Sequence, residues 1–277
     1  MKSLLNIIFS MVSIALVLSS CQDKVEVKVP EGETLLVVDG WITDQEGPYM
    51  VKLSTTGPYF KNEQTARVQG ASLIIIDNEG VKDTLREAAP GEYKTNTIRG
   101  KIGNTYTLFI EALGESYMAT TEIKRVPPID SLTYEYVDNK GTDRDGFFLR
   151  YYGPEPLGVG DNYRFLLTRN DTLLNTPGDV WRITSDEFVD GNYINGWDPY
   201  ERKLNKGDKM KIEGLSLTRD AYLFFNEMAI QVNNGGMFSN PPANVRTNIV
   251  NVNGPSRKKA VGYFGGSAVS AREVVIE

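Results

Sequence analysis

Between residues 34 and 126 apolar residues recur at every second position in short runs, and glycine, proline, asparagine or aspartate cuts each run. A period of two places alternate side chains on one face of a strand, so this pattern predicts half-buried β-strands rather than helices. Tyr49-Met-Val-Lys-Leu-Ser54 alternates and is stopped by Gly57-Pro58. Ala71 to Ile76 is a buried run closed by the turn Asp77-Asn-Glu-Gly80. Thr105 to Glu111 alternates, and Gly114-Glu115 turns it into Tyr117 to Ile123. Candidates at Thr34–Trp41, Asp83–Arg86 and Glu92–Thr95 bring the total to about seven strands in roughly 90 residues, a spacing that fits an immunoglobulin-like or transthyretin-like β-sandwich.

Val126-Pro127-Pro128 follows. Consecutive prolines donate no backbone hydrogen bond and hold the chain extended, so the reading places a domain junction here: 34–126 before it, 127–277 after it. The second half predicts strands at Ser131–Val137, Phe147–Tyr152, Asn162–Thr168 and Lys209–Leu217, with Asn170-Asp171 at a hairpin tip. One helix is expected near 218–232. Thr218 caps it and Asp220 faces its positive end, while Ala221, Phe224, Phe225, Met228 and Val232 form one apolar face that packs on a sheet. Glycines 235 and 236 are expected to stop it. The fold class is therefore mainly β in two domains, the second a β-rich sandwich or barrel carrying one α-helix.

The N-terminus sets the compartment. Lys2 is followed by an apolar stretch from Leu4 to Leu18 and then Leu18-Ser-Ser-Cys21. About 15 apolar residues are too few to span a bilayer, so residues 1–20 read as a signal peptide. A leucine three places before a cysteine, with small residues between, matches a lipoprotein signal. The expectation is cleavage before Cys21 and acylation of its thiol, with two or three acyl (palmitate-type) chains giving stable anchoring. Residues 21–33 are then a polar tether. Cys21 is the single cysteine of the chain, so no disulfide and no thiolate chemistry remain once it is lipidated.

Composition excludes several function classes. The chain has no histidine, which removes the commonest general base, the Ser-His-Asp triad and the usual zinc sites. Its formal charge of −6 becomes −7 when Lys2 leaves with the signal peptide, and its pI is near 5.0, so nucleic acid is not an expected partner. No catalytic residue, metal or cofactor is assigned.

Trp181, Tyr193, Trp197 and Tyr200 are the candidate ligand contacts, because tryptophan and tyrosine offer flat apolar faces with a polar edge. The same aromatics would also serve to anchor a long loop. Asp186, Glu187 and Asp190 are candidate paired carboxylates, with ordinary surface acids as the alternative. Asp138 to Gly146 offers oxygen ligands at short spacing, but without the register of an EF-hand loop, and a solvated turn is the preferred reading.

Val38-Asp-Gly-Trp-Ile42, Gly70-Ala71, Gly91-x-Tyr93, Gly103-x-x-Tyr106, Asn233-x-Gly-Gly-x-Phe238-x-x-Pro-Pro-x-Asn244 and Gly262-Tyr-Phe264 together resemble a Bacteroidota lipoprotein family, the domain of unknown function numbered 4249. The resemblance runs over nearly the whole mature chain. It carries no catalytic residues. It implies an accessory lipoprotein of the outer membrane, on the cell surface or the periplasmic face, active in nutrient uptake beside a TonB-dependent transporter. The expected function is non-catalytic ligand capture or docking; a carboxylate-based glycan hydrolase and a structural or adhesive surface protein are the alternatives.

Overall fold

The computed structural model describes residues 32–57, 64–138, 145–176, 182–233, 243–254, 256 and 258–277. The segment read as a signal peptide, Cys21, most of the expected tether, Trp181, residues 139–144 and Asn234 to Pro242 lie outside the described residues.

The body is mainly β, as the alternation predicts. Its first sheet has the order β17-β1-β2-β6-β5, built from β1 (Leu36–Thr43), β2 (Met50–Thr55), β5 (Arg86–Ala89), β6 (Glu92–Lys94) and β17 (Ala260–Ser267). The second has the order β16-β8-β7-β3-β4, from β3 (Ser72–Asp77), β4 (Lys82–Thr84), β7 (Thr105–Ala112), β8 (Glu115–Glu122) and β16 (Val250–Asn251). Both sheets point their buried registers at one core. Leu36, Val38, Ile42, Val51 and Leu53 come from the first sheet, and Leu73, Ile75, Leu108 and Ile110 from the second. The buried tyrosines satisfy their hydroxyls on the backbone: Tyr93 Oη donates to the Val68 carbonyl and accepts from the Ala71 amide.

A second pair of sheets encloses a second core. One has the order β14-β10-β9, from β9 (Ser131–Val137), β10 (Gly146–Pro154) and β14 (Tyr193–Trp197). The other contains β11 (Asn162–Arg169), β12 (Thr172–Leu173), β13 (Ile183–Ser185), β15 (Lys209–Leu217) and β18 (Val269–Val275). Leu132, Leu149 and Tyr151 meet Phe165, Leu167, Met210 and Ile212 between them. No ladder joins the two sheets among the described residues, so this half is a sandwich, not a barrel. Asn170 and Asp171 both take positive φ at the β11–β12 tip, as a two-residue hairpin turn requires.

The chain uses the two cores differently from the division at Pro127-Pro128. The last part of the sequence returns to the first core: β17 pairs in parallel with β1 along its whole length, β16 pairs with β8, and Ile249, Ala260, Phe264 and Ala268 are buried there. Parallel pairing needs a long crossover and leaves no local signature, which is why the sequence pattern does not disclose it. From β17 the chain passes straight into β18 of the second half at Ala268. Here Ser216 and Ser267 are wholly buried. Ser267 Oγ donates to the Ser216 carbonyl, the Ala268 amide donates to Ser216 Oγ, and Ser216 Oγ donates to the Lys124 carbonyl.

The helix α1 (Arg219–Val232) begins as predicted, with Thr218 Oγ1 accepting from the Ala221 amide. Ala221, Phe224 and Phe225 are buried against Leu217 and Tyr263, with Trp41 and Met228 partly covered beside them. Val232 is exposed, so the apolar face ends a turn earlier than the periodicity predicts. Trp41 stacks between Phe225 and Tyr263, at 5.5 and 6.2 Å between ring centroids. It lies so close to its β17 neighbour Gly265 that a Cβ there would fall 2.1 Å from the indole ring. Gly265→Ala therefore forces a packed ring off its seat, and should cost about 1–3 kcal/mol, measured as a lower urea midpoint. An unchanged midpoint would contradict the packing of Trp41 on β17.

Candidate functional site

The strand β10 points Leu149 and Tyr151 at the second core, and buried Gly153 and Glu155 continue that spacing, Glu155 one residue past the strand's end. On β11, Tyr163 and Phe165 point inward from the opposite sheet. Between them lies a cavity of about 340 Å³, walled by Tyr151, Tyr163, Phe165 and Trp197, with Ile194, Val189 and Pro127 completing the apolar lining. Thr184 and Ser185 of β13 also line it, and Glu155 is the one carboxylate on the wall among the described residues. The volume and the apolar character fit a small-molecule site.

Trp197 owes its position to a bulge. Tyr151 pairs with Trp197 and Tyr152 with Asn195, so the extra residue Gly196 is accommodated with φ of +77°. The rings of Tyr151, Phe165 and Trp197 then meet edge to face, with centroids 5.1–6.0 Å apart and planes inclined by 62–74°.

Glu155 is 7% exposed. Its Oε1 accepts a 2.6 Å hydrogen bond from the Tyr163 hydroxyl. Burial pushes the Glu155 carboxyl above its ordinary value, and the carboxylates of Asp161 and Asp186 add to the push; the Tyr163 bond and Arg125 offset part of it. Burial also raises the Tyr151 hydroxyl to about 12, with Glu155 and Asp130 adding to the shift, and raises Tyr163 further still.

Carboxylate oxygens of Glu155, Asp161 and Asp186 lie within 4.8 Å of one another. Their hydrogen bonds show what two of them do. Asp186 accepts from the amides of Gly160 and Asp161, and Asp161 accepts from Arg125 Nε at 2.8 Å. Arg125 Nη2 also donates to the carbonyls of Leu157 and Gly158, and Asp190 accepts from the Gly158 amide. These acids clamp the 155–161 loop. A cation at the trio would sit beside the guanidinium of Arg125 and compete with two backbone donors, so the donor set does not fit a metal.

The sequence candidates separate accordingly. Trp197 lines the cavity. Tyr193 stands at the other end of β14 and is 55% exposed, away from the lining. Tyr200 is buried in the second core, where its hydroxyl accepts from Arg169. Trp181 lies outside the described residues. Asp186 and Asp190 hold loop amides and Glu187 is exposed, so the three do not face one another across a cleft. Glu155 and Tyr163 were missed. The available signal was a glutamate continuing the inward register Leu149–Tyr151–Gly153.

The chain matches a protein-family model described as "Domain of unknown function (DUF4249)" over residues 22–273. No curated protein matches it. A solved structure, "Biofilm associated protein - BSP domain", is similar over 65% of this chain at 16% identity, with a TM-score of 0.25. The chain spans 27% of that structure's length.

The raised Glu155 carboxyl has a signed consequence. Above the ordinary value of 4.5 the unfolded chain has released this proton while the folded chain still holds it. Folding stability therefore falls as pH rises through that interval and stays lower above it. Glu155→Gln keeps an acceptor for Tyr163 and removes the charge. Its melting temperature should exceed that of the parent chain at neutral pH, with the gap closing as pH drops below the carboxylate range. A gap that widens on acidification would contradict the shift.

Proposed function

Because the chain belongs to this family of unknown function, we propose its role from the one feature with chemical content, the aromatic cavity between β10, β11 and β14: it is a non-catalytic, lipid-anchored binding protein that captures a small molecule. The cavity carries this reading. Its volume of about 340 Å³ has room for a small molecule, its walls are apolar and aromatic, and its polar groups are few. A hydrolase acting through paired carboxylates needs both groups at the substrate. Among the described carboxylates Glu155 alone lines the cavity, while Asp161 and Asp186 are engaged by Arg125 and by backbone amides.

Anchoring is supported by Leu18-Ser-Ser-Cys21 behind an apolar run, and no helix among the described residues is long and apolar enough to cross a membrane. A protein tethered through Cys21 to the outer membrane would hold its ligand close to that surface, which suits delivery to a TonB-dependent transporter and a part in nutrient uptake.

The test uses full-length protein extracted from membranes in detergent. A panel of small aromatic, sugar and amine compounds should contain members that raise its melting temperature. Trp197→Ala, folded by circular dichroism, should lose that response. Cys21→Ala should move to the soluble fraction and keep the response. A panel without effect on the parent chain, or an equal response in Trp197→Ala, would refute ligand capture; Cys21→Ala retained on membranes would refute the anchor.

A further inference from the structure

We propose that the ligand of this cavity is an organic cation, a compact alkyl- or quaternary ammonium group seated against the rings of Tyr151, Phe165 and Trp197 with Glu155 as its counter-ion. The inference rests on the binding reading given above and specifies its chemistry.

Charge is the first argument. Among the described residues no lysine or arginine lines the cavity, and Glu155 is the single formally charged group on its wall. The charges around that group are unbalanced: Asp161 and Asp186 stand behind it within 4.8 Å, against one guanidinium, Arg125, which is already bound to Asp161. An anionic ligand would meet a negative field, and a neutral one would leave three carboxyl groups with only the Tyr163 hydroxyl, Arg125 and the loop amides to balance them. A cation supplies what is missing.

The walls are the second argument. Three rings inclined by 62–74° present edges and faces alternately, and Trp197 keeps 37% of its surface exposed. Aromatic faces attract ammonium groups that have shed their water, and combining them with a carboxylate favours a cation over an equally shaped neutral molecule.

Proton linkage is the third. The groups facing Glu155 are the Tyr163 hydroxyl on β11, Tyr151 on β10, Asp161 and Asp186 on the clamped loops, and Arg125 on the linker. In the free protein burial pushes the Glu155 carboxyl above its ordinary value. A cation favours the ionised form, so binding releases a proton, and affinity rises with pH until Glu155 is ionised without help.

The experiment is titration calorimetry on the full-length protein in detergent with two probes of one shape: choline and its uncharged isostere 3,3-dimethyl-1-butanol. Choline is expected to bind at least tenfold more tightly than the isostere and to release protons, read from the dependence of the heat on buffer ionisation. Glu155→Gln, folded by its melting curve, is expected to bind both probes alike. Trp197→Ala is expected to weaken both. Equal or tighter binding of the isostere would overturn the cation inference and leave ligand capture standing. Choline binding unchanged in Glu155→Gln would overturn the role of the counter-ion. If neither probe binds while neutral compounds of the wider panel do, the inference fails alone; if nothing binds, both fail together.

Discussion

Two serines with no exposed surface hold this molecule together. Ser216 and Ser267 lie where β17 leaves the first sandwich and β18 enters the second. Ser216 Oγ receives the Ala268 amide and donates to the Lys124 carbonyl, while its own carbonyl receives Ser267 Oγ. Buried hydroxyls without partners would be expensive; here each completes a bond that no strand ladder provides. Ser270 Oγ adds a fourth tie by accepting from the Ile129 amide. The stretch between the two sandwiches is thus fixed at Lys124 by β15 and at Ile129 by β18.

The cavity depends on that fixation. Residues 124–129 connect the sandwiches and also build the site. Arg125 leaves the pinned Lys124 to clamp Asp161, Val126 packs against both cores, and Pro127 forms part of the cavity wall. Arg125 and the two aspartates hold the 155–161 loop, which holds Glu155 at the wall. The helix contributes on the far side. It straddles Tyr263 of β17 and Leu217 of β15, and Tyr263 donates to Asp220 in its first turn. Rigid scaffolding around a partly open aromatic wall is the arrangement expected of a preformed small-molecule site.

Much of the fold was legible from period and punctuation. Ser131–Val137 and Lys209–Leu217 are strands with the predicted ends, and the Thr218 cap and Asn170-Asp171 tip behave as their chemistry requires. What escaped was non-local. Nothing in Ala260–Ser267 announces that it pairs with Leu36–Thr43 across more than two hundred residues, and the linker prolines read as a boundary because their second role, as a wall, depends on strands far away in sequence. The site was half legible. Trp197 stood out as an aromatic among polar residues, but so did Tyr200, and only the fold sends one to the cavity and the other to the core. Glu155 was hidden between two prolines, where a charged residue is ordinarily a solvated turn.

Hydrogen exchange at the amides of Ala268 and Ile129 tests the junction most directly. Both donate to serine hydroxyls, that of Ser216 wholly buried and that of Ser270 half-buried. If the junction holds the sandwiches as one body, they exchange only through global opening, as slowly as core amides of β1 and β11. Fast exchange at Ala268 and Ile129, with both cores still protected, would show two bodies on a loose connection and would contradict the account.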